Sequence, residues 1–173
     1  GMSVQNLADS TICVVGPNKR QNEMMASFLE RSTGATCLVG GDDYNIPGRA
    51  VVNPRIILWN CQSRGVECLA EYEMRCGEIL ERDIVLFVDI EAGLGIEEVA
   101  IGQGVRGFYY ESDPLEKLPR CLEVLLAGQL WVSRKILAKA VYEAGLLKSR
   151  ASRQAKELLS YREIEILNYV MVG

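Results

Sequence analysis

The chain has 173 residues, 49% apolar and 24% charged, with a net charge of −4 and a sequence pI near 5.0. This is ordinary globular composition, enough for one sizeable domain plus an appendage, and not that of a disordered or coiled-coil chain. An isolated DNA-binding domain is usually basic, because phosphate neutralisation supplies much of its affinity, so most of this chain is not a DNA-binding surface.

The first strand is expected at Thr11–Val15 (TICVV), stopped by Gly16-Pro17. Met24, Met25, Phe28 and Leu29 follow at helical spacing, closed by Gly34. Thr36–Val39 reads as a second strand, and polar residues 42–53 as loop or one poor helical turn. Arg55–Trp59 (RIILW) is the third strand, Glu67–Leu80 a helix, Ile84–Val88 (IVLFV) the fourth strand and Ile96–Ile101 a short helix. Gly107–Tyr110 is the fifth strand and Leu115–Ala127 the next helix. A further helix is expected from Trp131 to Ala144, ended by Gly145, then a linker rich in Lys, Arg and Ser, and a last helix opening at Ser160. The strands carry no polar face of period two, as in a parallel sheet covered on both sides. The expected fold is therefore α/β: a flavodoxin-like, doubly wound, five-stranded parallel sheet of order 2-1-3-4-5 with an extra C-terminal helix.

Six cysteines (13, 37, 61, 68, 76 and 121) form no C-x-x-C pair, and there is no histidine, so a metal site is not expected. Buried reduced thiols are expected instead, in keeping with a cytoplasmic protein. No apolar run reaches the ~20 residues of a membrane span, and the N-terminus carries no secretory leader.

Residues 159–167, Leu-Ser-Tyr-Arg-Glu-Ile-Glu-Ile-Leu, resemble the opening of the LuxR/NarL helix-turn-helix. Ser160 with Glu163 has the spacing of a capping box, and Ile164, Leu167 and Val170 give an apolar stripe. The resemblance implies a receiver-like domain over residues 10–145, a linker at 146–158, and the first helix of a helix-turn-helix at 159–173. The turn and recognition helix would lie past Gly173, so no base-reading residue can be assigned.

A phosphorylated receiver needs an aspartate nucleophile ending strand 3, acids after strand 1 for Mg²⁺, a hydroxyl ending strand 4 and a lysine ending strand 5. Here those positions fall on Asn60, on the loop with Pro17 and Asn18, on Val88 and on Glu111. An amide cannot form an acyl phosphate, and Glu111 reverses the lysine charge. Neither Asp9 nor Asp89 stands in the expected register. The receiver is read as non-phosphorylatable and the chain as not an enzyme.

Trp131-Val132-Ser133-Arg134 is similar to the W-[FLM]-[TS]-R motif of the CsgD/VpsT branch of LuxR regulators. In some members it binds cyclic di-GMP at a dimer interface. A guanidinium can stack on guanine and fork onto phosphate, and Ser133 could bond a phosphate oxygen. Val132 stands where that pattern has a longer apolar residue. The alternative assignment has Trp131 covering the core, Ser133 capping the helix and Arg134 facing solvent. Gly102-Gln103-Gly104-Val105-Arg106-Gly107 matches G-x-G-x-x-G but precedes a strand, so it reads as a turn. Asp42-Asp43 and Glu97-Glu98 read as solvated acids.

Together these features imply a homodimeric transcription regulator acting on promoter DNA, its non-phosphorylatable receiver controlling dimerisation, with cyclic di-GMP the one candidate ligand. The candidate dimer surfaces are the helix from Trp131 and the face around the fourth helix, fifth strand and fifth helix. The alternatives are a stand-alone pseudo-receiver that binds another protein, and an FMN-binding flavodoxin-like protein. The latter would need a hydroxyl-rich phosphate loop where Gly16-Pro17-Asn18-Lys19-Arg20 stands.

Overall fold

The computed structural model describes residues 6–41, 43–48 and 54–172, with side chains described as far as residue 160. The chain divides into two units, residues 1–133 and 134–173.

In the first unit five strands form one parallel sheet of order β2-β1-β3-β4-β5, as the sequence predicts. They are β1 (Thr11–Val15), β2 (Thr36–Val39), β3 (Arg55–Asn60), β4 (Ile84–Ile90) and β5 (Val105–Tyr110). Every residue of β1 and β3 is buried. The alternation of side chains along a strand sorts them onto two faces. Ile12, Val14, Ile56, Leu58 and Leu86 join one core with Leu29 and Leu122. Cys13, Val15, Ile57, Trp59 and Phe87 join the other with Tyr72 and Ala100. Leu29 lies on α1 (Lys19–Thr33) and Leu122 on α4 (Leu118–Leu126), whereas Tyr72 lies on α2 (Glu67–Arg75) and Ala100 on α3 (Glu97–Gly102). Helices therefore cover both faces, which explains why no strand shows a polar side.

The helix ends follow local rules. The Asn18 side chain accepts from Gln21 N at 3.1 Å at the start of α1, and Gly34 ends it in the left-handed region at φ 76°. The helix expected over Glu67–Leu80 stops at Arg75 and tightens to a 3₁₀ turn at Cys76–Glu78, around Gly77. At the foot of the sheet Arg55 Nε donates to Asp83 Oδ1 at 3.0 Å, a fully buried pair that closes the start of β3 against the start of β4. The cysteines are free; four are buried, Cys37 is half-buried, and Cys76 is exposed, contrary to the expectation of buried thiols throughout.

The second unit is one continuous helix, α5 (Arg134–Val172). This corrects three boundaries. The helix begins at Arg134 rather than Trp131, does not end at Gly145, and passes through Ser160, so no capping box forms there. Residues 146–158 (LLKSRASRQAKEL) are mostly strong helix formers. A single interior glycine costs about 1 kcal/mol, less than breaking the helix and nucleating another.

Candidate regulatory site

The C-terminal edge of a parallel α/β sheet is where such folds place their ligands, so the site is built from the ends of β1, β3, β4 and β5. Asn60 is the last residue of β3 and has no exposed surface. Its Nδ2 donates to Asn22 Oδ1 at 2.9 Å, its Oδ1 accepts from Gln62 N at 3.0 Å, and its carbonyl accepts from the Tyr44 hydroxyl at 2.9 Å. Asn22 in turn donates from Nδ2 to Gly16 O at 3.3 Å. Gly16 lies so near that a Cβ there would stand 2.7 Å from Asn60 Cβ. The amide that ends β3 is thus sealed inside a neutral network, with each polar atom used.

Pro17 and Asn18 form the turn after β1; Pro17 is half-buried, and exposed Asn18 spends its side chain on capping α1. Val88 is fully buried and pairs in register with Asn60 across β3 and β4. Glu111 is exposed just past β5, its N–H donating to Ile90 O at 3.0 Å. The four positions of the phosphotransfer pattern therefore gather at this edge or border it, carrying an amide, a capped turn, an isopropyl group and an acid.

Of the two acids weighed as substitutes, Asp9 precedes β1 and so lies at the opposite end of the sheet from Asn60. Asp89 follows Val88 in a left-handed conformation, φ 52°, at a register irregularity of the β4–β5 ladder. Burial pushes its carboxyl above the ordinary value of 3.8, and the nearby Glu111 charge adds to the rise. Glu97, expected to be solvated, is buried, its Oε1 accepting from the Tyr110 hydroxyl at 3.0 Å. Tyr110 comes within reach because α3 packs on β5; Asp43 is exposed as expected, and Asp42 lies outside the described residues.

The sequence missed Asn22 and Tyr44. Asn22 had a signal: with Met25, Ala26 and Leu29 it occupies positions i, i+3, i+4 and i+7 of α1, a polar residue on the core stripe. Tyr44 had none, since it sits in an irregular loop, where it is buried and stacked on Trp59 with ring centroids 4.3 Å apart.

Trp131 is half-buried and lies beside β5 in extended form. Its N–H donates to Arg106 O at 3.0 Å, and Phe108 N donates to Trp131 O at 3.0 Å. Its side chain packs against the core that holds Leu122, and Val132 packs against the opposite one. Ser133 and Arg134 are exposed, Arg134 opening α5. The glycine-rich segment 102–107 forms the turn from α3 into β5, with Gly104 at φ 95°.

No protein-family model matches the sequence, and no curated protein matches it. Solved structures do match its shape. The fold is similar to that of the regulatory domain of the master biofilm regulator CsgD, with a TM-score of 0.62 and 13% identity over 77% of this chain and 98% of that one. It is also similar to a LuxR family DNA-binding response regulator from Silicibacter pomeroyi, with a TM-score of 0.51 and 12% identity over 73% and 98%. At these identities the likeness concerns the fold: the first unit has the five-stranded architecture of a response-regulator receiver domain.

Proposed function

We propose that the chain is the regulatory part of a homodimeric, non-enzymatic transcription regulator whose receiver does not use phosphate. The observation that carries this reading is Asn60, fully buried at the nucleophile position with its amide committed to Asn22 and Gln62. Promoter DNA is the assigned target because residues 159–167 resemble the opening of a LuxR-type helix-turn-helix.

Dimerisation is assigned to α5. Leu137, Ala140, Ala144, Leu147, Ala151, Ala155 and Leu158 follow one another at three- and four-residue steps, close to the pattern of a coiled-coil seam. Leu147 and Leu158 are 65% and 67% exposed in the single chain, so a second copy of the seam would remove apolar surface from water. Cyclic di-GMP is a candidate ligand for the Trp131–Arg134 motif, through the exposed Arg134 guanidinium, beside the purely structural role that the packing of Trp131 on the core supports.

Sedimentation equilibrium tests the reading. The chain is expected to be a dimer that acetyl phosphate with Mg²⁺ does not alter, Leu147→Glu to be a monomer, and cyclic di-GMP to tighten the dimer. A stoichiometric phosphoryl adduct would overturn the reading. A dimer whose full gene product protects no DNA in footprinting would favour a stand-alone interaction module.

A further inference from the structure

Charge is divided unevenly along this chain. Residues 1–133 hold 11 Lys and Arg against 19 Asp and Glu, a net of −8, whereas residues 134–157 hold seven basic residues and two acids, Glu143 and Glu157. In an irregular linker those cations would point in all directions; in α5 they cannot. At 3.6 residues per turn, Arg134, Lys135, Arg150, Arg153 and Lys156 fall within about 160° of arc, centred opposite the Leu137–Leu158 seam, with Glu157 the one acid of residues 134–157 inside that arc. All five are exposed, and none has an ion-pair partner among the described residues. Ser149 and Ser152 lie on the same face between them, adding small hydroxyl donors.

We infer that this basic face of α5, centred on Arg150, Arg153 and Lys156, is a sequence-independent docking surface for the phosphate backbone of double-stranded DNA. Charge complementarity selects a polyanion, and guanidinium forks suit phosphate oxygens. The first unit, with its net charge of −8, offers a polyanion no comparable basic excess, so α5 is the element that would attract it. An anionic membrane fits less well. Helices that lie in a bilayer interface bury Trp, Phe and Leu, whereas four of the seven seam residues 137, 140, 144, 147, 151, 155 and 158 are alanine. The choice of DNA as the polyanion rests on the regulator reading; the surface itself does not depend on the motif at residues 159–167.

The test is fluorescence anisotropy of the 173-residue chain with two unrelated labelled duplexes of equal length, from 20 to 300 mM NaCl. Both duplexes are expected to bind alike, with log K falling against log salt at a slope of about −3 to −5. Arg150→Gln/Arg153→Gln/Lys156→Gln is expected to weaken binding at least about tenfold at 50 mM salt and to flatten the slope by about 2.7. Glutamine keeps helix propensity, and circular dichroism checks that α5 persists. Should the triple variant lose helix, Arg134→Gln/Lys135→Gln serves instead, with a slope flatter by about 1.8. Arg31→Gln, on the exposed surface of α1, is expected to change nothing. Absence of binding at 20 mM salt, binding that the variants leave intact, or tighter binding to phosphatidylglycerol vesicles than to DNA each overturns the inference. Footprinting of the full gene product reads the regulator proposal separately, since non-specific affinity can exist without an operator.

Discussion

Asn60 closes the end of β3 with a directed pair of side-chain amides. Its amide donates to Asn22 while Asn22 donates to Gly16, so the two side chains have a fixed direction. Asn60→Asp would set a carboxylate against the Asn22 carbonyl oxygen. Asn22 could turn its amide to donate, but only by giving up its bond to Gly16. The substitution is expected to cost roughly 2–3 kcal/mol in urea unfolding and still to yield no acyl phosphate, because the strand-1 acids and the lysine are absent. A phosphoryl adduct on that variant, seen by mass spectrometry, would contradict the role given to the other three positions. Asp89 is a second case. Its folded carboxyl is raised, so between its ordinary value of 3.8 and the higher folded value the unfolded state binds fewer protons. Stability therefore falls as pH rises through that window and stays lowered above it. Asparagine tolerates the left-handed φ of 52° as aspartate does. Asp89→Asn is expected to melt higher than the parent at pH 7 and together with it at pH 3; equal melting at both would remove burial of the charge as a cost.

Among elements, the segment after α4 decides how the first unit is finished. The residues after Trp131 favour a helix that would begin at it, yet two backbone hydrogen bonds to β5 hold Trp131 extended. Gly107 allows this: a Cβ there would meet Trp131 Cβ and Trp131 O at 2.9 Å each and Leu86 Cδ1 at 3.1 Å. Gly107→Ala is expected to cost about 1–3 kcal/mol and to shift tryptophan emission to the red as Trp131 loosens, Trp59 being buried in the interior. An unshifted emission maximum would mean that the edge adapts without releasing Trp131. In α5 the balance runs the other way: the turn signals of Gly145 and Ser160 are outweighed by a run of residues that each favour the helix slightly. That continuity gives the seam and the basic face their length.

For the whole molecule, an acidic receiver-like unit is covalently followed by a basic amphipathic helix, and the net charge of −4 conceals both. Strand order was legible in the chain because it depends on local signals: apolar runs cut by glycines. The absence of period-two polarity already implied a sheet covered on both sides, and the structure places α1 and α4 over one face and α2 and α3 over the other. What only the tertiary structure decided is pairing between distant residues. Asn22 and Asn60 are 38 residues apart, and Arg55 and Asp83 are 28 apart. No periodicity announces such partners, because a buried polar group is satisfied by whatever the packing brings within about 3 Å. The burial of Glu97 by Tyr110 and the capture of Trp131 by Gly107 belong with them. The sequence determined which residues could form strands and helices and which residue types stand at the strand ends; folding determined which polar groups meet, since that is fixed by distance in space rather than by spacing along the chain.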